Sequence, residues 1–261
     1  MSERRVPRVL VLVLAAVIVL VLLGDALWRR RTPAVAGHQP VSARASQAAA
    51  DPAASGPGKA MEANAGSRPA TADRAAVRER LRFEAAGSYL AQTVVAGDSV
   101  VRHWGVRGGR PIRVAVVPGA AIGYREEYSG AVEWAVVRWN GVGLPVQFET
   151  TRDSSGAEVV LTWVDTLGGE AAGQARVAWT RPGEIIRADV QLVTHMPDGK
   201  APTSNQMVTM ALHELGHVLG LGHSSDPADA LHPSSRAIEL SSRDRRTARL
   251  LYDLPTGSVK Q

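Results

Sequence analysis

Eleven residues limit what this chain can become: His213-Glu214-Leu215-Gly216-His217-Val218-Leu219-Gly220-Leu221-Gly222-His223. On a helix, side chains four apart stack on one face about 6 Å from each other, so His213 and His217 can reach the same ion. Val208, Leu212, Leu215 and Leu219 fall on a different face and can dock that helix into a core. Gly220 is where the helix can stop, because glycine takes a positive φ without steric cost. A turn there can return His223 to the same ion as a third ligand. Three neutral imidazoles leave a fourth corner for water, the layout of a catalytic zinc site and not of a closed structural one. Glu214 neighbours His213 and can face that water. A lone His-Glu-x-x-His occurs on ordinary surface helices, and the third histidine, placed after a glycine, is what sets this segment apart.

Composition narrows the rest. Of 261 residues, 45% are apolar and 21% charged, enough for a packed core, and there is no cysteine. The lack of cysteine excludes disulfide frameworks, thiolate metal sites, thiol nucleophiles and a lipidated N-terminal cysteine. A net charge of +5 invites a nucleic-acid reading. Its distribution argues against one. Arg4, Arg5, Arg8, Arg29, Arg30 and Arg31 face only Glu3 and Asp25 within residues 1–32, and the remaining chain is nearly balanced. The excess brackets one apolar segment instead of coating a domain face, so no nucleic-acid partner is expected.

That segment runs unbroken from Val9 to Leu23. As a helix it would be about 22 Å long, and extension to Trp28 brings it to roughly 30 Å, the thickness of a hydrocarbon core. After a short flank, 1–8, residues 9–28 are therefore read as a transmembrane signal-anchor. A cleaved signal peptide competes with it, but Ala34-Val35-Ala36 lies far past the apolar run and beyond three arginines. Either reading puts the remainder outside the cytoplasm, membrane-anchored in the first case and secreted in the second. Arginines are equally numerous on both sides, so orientation is not set by them. Residues 29–72 are rich in Ala, Pro, Ser and Gly without apolar periodicity and read as a flexible linker.

A folded domain is expected over 73–261. Ala75, Val77, Leu81, Ala85, Tyr89 and Leu90 predict a helix through about residue 91. Pro111–Val117 alternates as a strand, and Tyr128, Val132, Ala135 and Trp139 share one face of a helix over 124–139. Val146–Glu149, Glu158–Asp165, Gln174–Thr180 and Ile185–Thr194 predict four strands, the last two joined by Arg181-Pro182-Gly183-Glu184 as a hairpin turn. Helices follow near Thr203, with Gln206 three residues on, and at Ser241, with Asp244 three residues on. This order implies an α+β domain: one mixed, twisted, five-stranded sheet with a long helix, a histidine-bearing helix and a C-terminal helix. A monomer is expected.

His213–His223 resembles the extended zinc-binding motif of the metzincin metallopeptidases. With Ser224 and Asp226-Pro227 it is most similar to the matrixin branch. Pro111-Ile112-Arg113-Val114 looks like the first sheet strand of a matrixin catalytic domain, and Leu240-Ser241 through Leu251-Tyr252 like its closing helix. The resemblance covers about residues 100–255 and implies a zincin fold and a zinc-dependent endopeptidase acting on protein or peptide substrates. His213, His217 and His223 would hold one Zn2+, and Glu214 would be the general base toward a zinc-activated water. An extended substrate would add to a sheet edge. By analogy with the family's order that edge is Gln174–Thr180, and an ordinary sheet strand is the competing reading.

The pattern breaks in places. Metzincins carry a methionine in a turn beneath the zinc, and aligning Asp226-Pro227 and Pro233 puts Leu231 there. Leucine conserves volume without the thioether. His232 stands where matrixins often have tyrosine, as a plain loop residue or a fourth ligand. Between Asp165 and Asp198 only His195 occurs, so the family's second, structural zinc is not carried over. Scattered acids at Asp165, Glu170 and Asp189 are weak grounds for Ca2+. His38 and His103 lack ligand spacing, and the Arg243, Arg245, Arg246 and Arg249 cluster reads as a solvated helix face. The cysteine-based latency of animal matrixins is absent. An alternative keeps the fold and the zinc but loses the activity, leaving a membrane-anchored interaction module. A scaffold without metal is a third reading.

Overall fold

The computed structural model describes residues 39–41, 71–83, 87–119 and 121–259. In chain order its elements are β1 (Gln39–Val41), α1 (Thr71–Phe83), α2 (Leu90–Ala96), β2 (Val100–Val101), β3 (His103–Trp104) and β4 (Ile112–Val116). They continue with α3 (Glu127–Asn140), β5 (Phe148–Thr151), β6 (Val159–Val164), β7 (Gly173–Trp179) and β8 (Glu184–Val193), then α4 (Ser204–Val218), α5 (Ser242–Tyr252) and β9 (Gly257–Ser258). Among the described residues no helix is long and apolar enough to cross a membrane. The segment 9–28, read as a signal-anchor, lies outside them, as does the 29–72 stretch apart from β1 and Thr71–Ala72.

Burial alternates along β6, with Val159, Leu161 and Trp163 buried and Val160, Thr162 and Val164 half-buried. A period of two with only one covered face is what a sheet with helices packed on one side requires. Five strands carry that sheet in the order β7-β8-β6-β4-β5, with β1 added outside β7 and β3 beside β8. Strands β4, β5, β6 and β8 run parallel, and β7 runs antiparallel to β8. The sheet is thus mixed and the fold α+β, as the element order implied. The hairpin between β7 and β8 closes through Thr180 and Gly183, and Gly183 has a φ of +103°.

Three expectations are modified. The stripe from Ala75 to Leu90 forms two helices, α1 and α2, because Gly87 takes a φ of +75° that an α-helix cannot contain. Strand β1 falls within the stretch 29–72 read as a flexible linker, yet it pairs with β7. The short strands β2, β3 and β9 were not foreseen either. Each spans two residues, too short for a period to show, and exists through its partner: β2 pairs with β9 and β3 with β8.

Helices α3 and α4 pack on each other, and α4 also contacts β7 and β8. The predicted stripe of α3 is all buried: Tyr128, Val132, Ala135 and Trp139. Two indoles hold α4 in place by its backbone. The Trp139 Nε1–H donates to the Leu212 carbonyl at 3.0 Å and the Trp104 Nε1–H to the Val218 carbonyl at 2.8 Å. The second bond satisfies a carbonyl in the last turn, where helical partners run out. Trp139→Phe removes the first donor and leaves space beside Leu212. It is expected to cost about 1–3 kcal/mol, read as a lower urea midpoint at unchanged slope.

Candidate metal centre

The α4 helix begins at Thr203, whose hydroxyl accepts the Gln206 N–H while the Gln206 side chain accepts the Thr203 N–H. This reciprocal cap fixes the start and hence the phase of the helix. His213 and His217 then lie one turn apart on its buried side. The helix ends where Gly220 takes a φ of +99°, and a Cβ there would lie 2.1 Å from the Arg102 carbonyl oxygen. Only glycine fits that position. The chain turns through it and brings His223 back against the other two rings, with centroids 5.2 Å from His213 and 4.8 Å from His217.

The rings are held by their outer nitrogens. His213 Nδ1 lies 2.8 Å from the Ala230 carbonyl and His217 Nδ1 2.8 Å from the Leu221 carbonyl. A carbonyl only accepts, so each Nδ1 carries the proton and each Nε2 presents a bare lone pair. Those two lone pairs face each other, with His217 Nε2 3.0 Å from His213 Nε2, and the Nε2 of His223 lies 3.3 Å from that of His213. Burial holds all three imidazoles below their ordinary pKa, His217 furthest and His223 at about 4. The buried, neutral rings of His213 and His217 point bare lone pairs at each other and repel unless a cation sits between them, and the half-buried His223 ring brings a third Nε2 to the same point. Tetrahedral zinc–imidazole bonds of about 2.0–2.1 Å put nitrogens roughly 3.3 Å apart, close to the 3.0 Å and 3.3 Å of the two pairs here. The donor set therefore fits zinc, and among the described residues these three histidines are the cluster that could hold a metal.

Glu214 is buried, and that burial pushes its carboxyl up to about 8, opposed by the Ala175 backbone N–H. Its Oε2 is buried without a hydrogen-bond partner. Strand β7 passes directly over it: a Cβ on Gly173 would lie 2.5 Å from Glu214 Oε1. A nearby cation favours the carboxylate, so a metal at the histidines opposes the effect of burial.

Beneath the helix, Leu231 is fully buried, and its Cδ2 would meet a Cβ on Gly216 at 2.7 Å. Gly216 thus lets Leu231 and Trp139 approach the helix between the two histidines. Sequence reasoning missed the acid that holds this floor. Asp244 accepts the Ala230 N–H at 2.8 Å, the Ser241 N–H at 2.9 Å and the Tyr89 hydroxyl at 2.7 Å. Ala230 is the residue whose carbonyl orients His213. The capping pattern at Ser241 revealed one oxygen of Asp244, and its reach to Ala230 had no local signal. Asp229, which accepts hydroxyls from Ser224 and Ser241 and pairs with Arg243, was missed likewise. Arg243 therefore does more than face solvent.

The remaining candidates lie outside the three-histidine cluster, His232 alone among them acting through space on His213 and His223. His232 Nδ1 accepts the Ser234 N–H within its own turn. His195 pairs with Asp165 at 2.5 Å, Asp189 with Arg187 at 3.7 Å, and Glu170 is exposed. His103 is buried between the carbonyls of Trp104 and Leu254. His38 lies outside the described residues.

The family model of the matrixins, peptidase family M10, matches residues 114–253, a little over half of the chain. The match begins inside β4 and ends just past α5, so it contains the three histidines, Glu214 and Leu231 and leaves α2, β2 and β3 outside. No curated protein matches the chain.

In metal-free protein, the raised Glu214 pKa has a stability signature. The folded value of about 8 exceeds the unfolded value of about 4.3. The contribution is fully present below about pH 4.3 and lost as pH rises through about 8. Glu214→Gln escapes that loss. Metal-free variant and metal-free wild type are expected to melt close together at pH 5, with the variant increasingly the more stable toward pH 9. A gap that does not change with pH contradicts the burial of this carboxyl.

Proposed function

The chain belongs to the matrixin family of peptidases, and from that membership and the geometry of its histidines we propose that it is a zinc-dependent endopeptidase with Glu214 as general base. The observation that carries the reading is the buried, unpaired Glu214 Oε2 beside three converging imidazole nitrogens. A site that only stored metal would have no use for a buried carboxylate there. A zinc ion held by His213, His217 and His223 supplies Lewis acidity, which polarises a carbonyl and acidifies water.

Glu214 then accepts the proton of the attacking water and delivers it to the departing amine as the C–N bond breaks. Its burial keeps bulk water from competing for that proton. Leu231 and Gly216 set the depth at which the histidine-bearing helix sits, and Asp244 steadies the Ala230 carbonyl that fixes His213. The edge of β7 supports substrate binding by strand addition, because β1 of this same chain already lies along it antiparallel. A substrate has to take the place of β1. Two cavities flank the centre along this edge. One, of about 520 Å³, is lined in part by Met196, Met210, His213 and Glu214. The other, of about 510 Å³, adjoins His217 and His223.

The apolar run 9–28 and the linker 29–72 support a peptidase domain, 73–261, tethered to the membrane and facing outward. With the chelator-treated full chain, cleavage of casein or a peptide mixture is expected to stop and to return on adding zinc. Glu214→Gln is expected to lower turnover by about 10²–10⁴-fold while zinc content stays the same. Equal turnover in variant and wild type removes the general-base role. If both bind zinc and neither cleaves, the chain is a zinc-containing interaction module instead.

A further inference from the structure

The cavity beside His217 and His223 is built from two sources. One wall is β7 and β8, with Trp179 and Ile185, and the opposite wall is α2 and the residues after it, with Thr93 and Arg102. The second wall lies outside residues 114–253, the stretch that the family model matches.

Arg102 is the charged group of that wall. Its guanidinium carbon lies 4.2 Å from the centre of the Trp179 ring, and Nη1 donates to the Gly97 carbonyl at 2.7 Å. Its Nε is buried without a hydrogen-bond partner. Arg107, Arg138 and Arg243 each have a carboxylate within salt-bridge distance, and Arg102 has none among the described residues. Asp98 acts on it through space only, and burial outweighs that influence and lowers the guanidinium pKa. A half-buried cation, stacked on an indole and short of counter-charge, stands in an otherwise largely apolar recess where an ionic contact is poorly screened. A planar fork of this kind matches a carboxylate.

Direction along the cleft follows from β1. Gln39 lies opposite Val177 and Val41 opposite Ala175, so a strand bound this way runs from the Trp179 end of β7 toward the Gly173 end. Glu214 sits under Gly173 and Ala175. Residues before the bond to be cut therefore pass Trp179 and Arg102. From Ala175 to Trp179 is about 14 Å of strand, two to four residues ahead of the bond once side-chain reach is allowed for.

We propose that Arg102, stacked on Trp179, forms a subsite that selects an acidic side chain two to four residues on the amino-terminal side of the cleaved bond. The proposal rests on the peptidase reading for its geometry, and its test separates the two. Labelled peptides that differ only in Glu, Gln or Lys at those positions are titrated against the zinc-loaded, full-length Glu214→Gln protein, and the same peptides are offered to wild type for cleavage. Because β1 competes with every peptide alike, the ratio within a pair is the readout. The Glu peptide is expected to bind about tenfold tighter. The ratio is expected to fall to about one in Arg102→Gln and to invert in favour of Lys in Arg102→Glu. Circular dichroism and melting of each variant confirm that it is folded, and the inversion by Arg102→Glu is something lost packing does not produce. Cleavage of Glu and Gln peptides at equal rates with equal affinity overturns the subsite and leaves the peptidase reading intact. Acid-selective binding without any cleavage by wild type overturns the peptidase reading and leaves the subsite. Failure of all peptides to bind overturns the subsite as well.

Discussion

The lone pairs of His213 and His217, 3.0 Å apart, repel in the absence of a cation, and the Nε2 of His223 lies 3.3 Å from one of them. The surrounding fold is arranged so that they have no other choice. Each of the two helical rings spends its single proton outward on a carbonyl, Ala230 for His213 and Leu221 for His217. Burial removes the alternative of a second proton by keeping the rings neutral. The metal preference is therefore written into backbone positions as much as into the histidines. A change that moved Ala230 or Leu221 by an ångström would release a ring from its tautomer and weaken the site without touching a ligand.

Those backbone positions depend on distant parts of the chain. Ala230 is held by Asp244 from α5, and Asp244 is held by Tyr89 at the start of α2. Gly222, next to His223, donates its N–H to Thr93 of α2 at 3.1 Å. The Trp104 indole caps the end of α4 through Val218. Residues 89–104 thus brace the centre from below and from one side, although they precede the stretch that matches the matrixin model. They belong structurally to the same domain as the centre, which explains why this segment carries large buried side chains such as Tyr89, Leu90 and Trp104.

Much of this was legible in the residues because it rests on local rules. The His213–His223 spacing encodes helix, stop and return in eleven residues, and both capping boxes, at Thr203 and Ser241, form as their sequences suggest. Alternation located β4, β6, β7 and β8 to within a residue or two. What stayed hidden is non-local. Nothing near Asp244 announces that one of its oxygens reaches Ala230, fourteen positions earlier. Gly173 looks like any strand glycine until Glu214 is found beneath it. Arg102 carries no local signal of its role, which appears only when Trp179, 77 positions on, is placed against it. Two-residue strands such as β2 and β3 have no period to detect and arise from tertiary pairing alone.

The claim on which the rest depends is that one cation is shared by three rings. Metal analysis of the purified full-length protein, combined with X-ray absorption at the zinc edge, tests it most directly. The expected result is one zinc per chain with three imidazole nitrogens at about 2.0–2.1 Å. Zinc well below one equivalent after reconstitution, or a shell with fewer than three imidazoles, would contradict it.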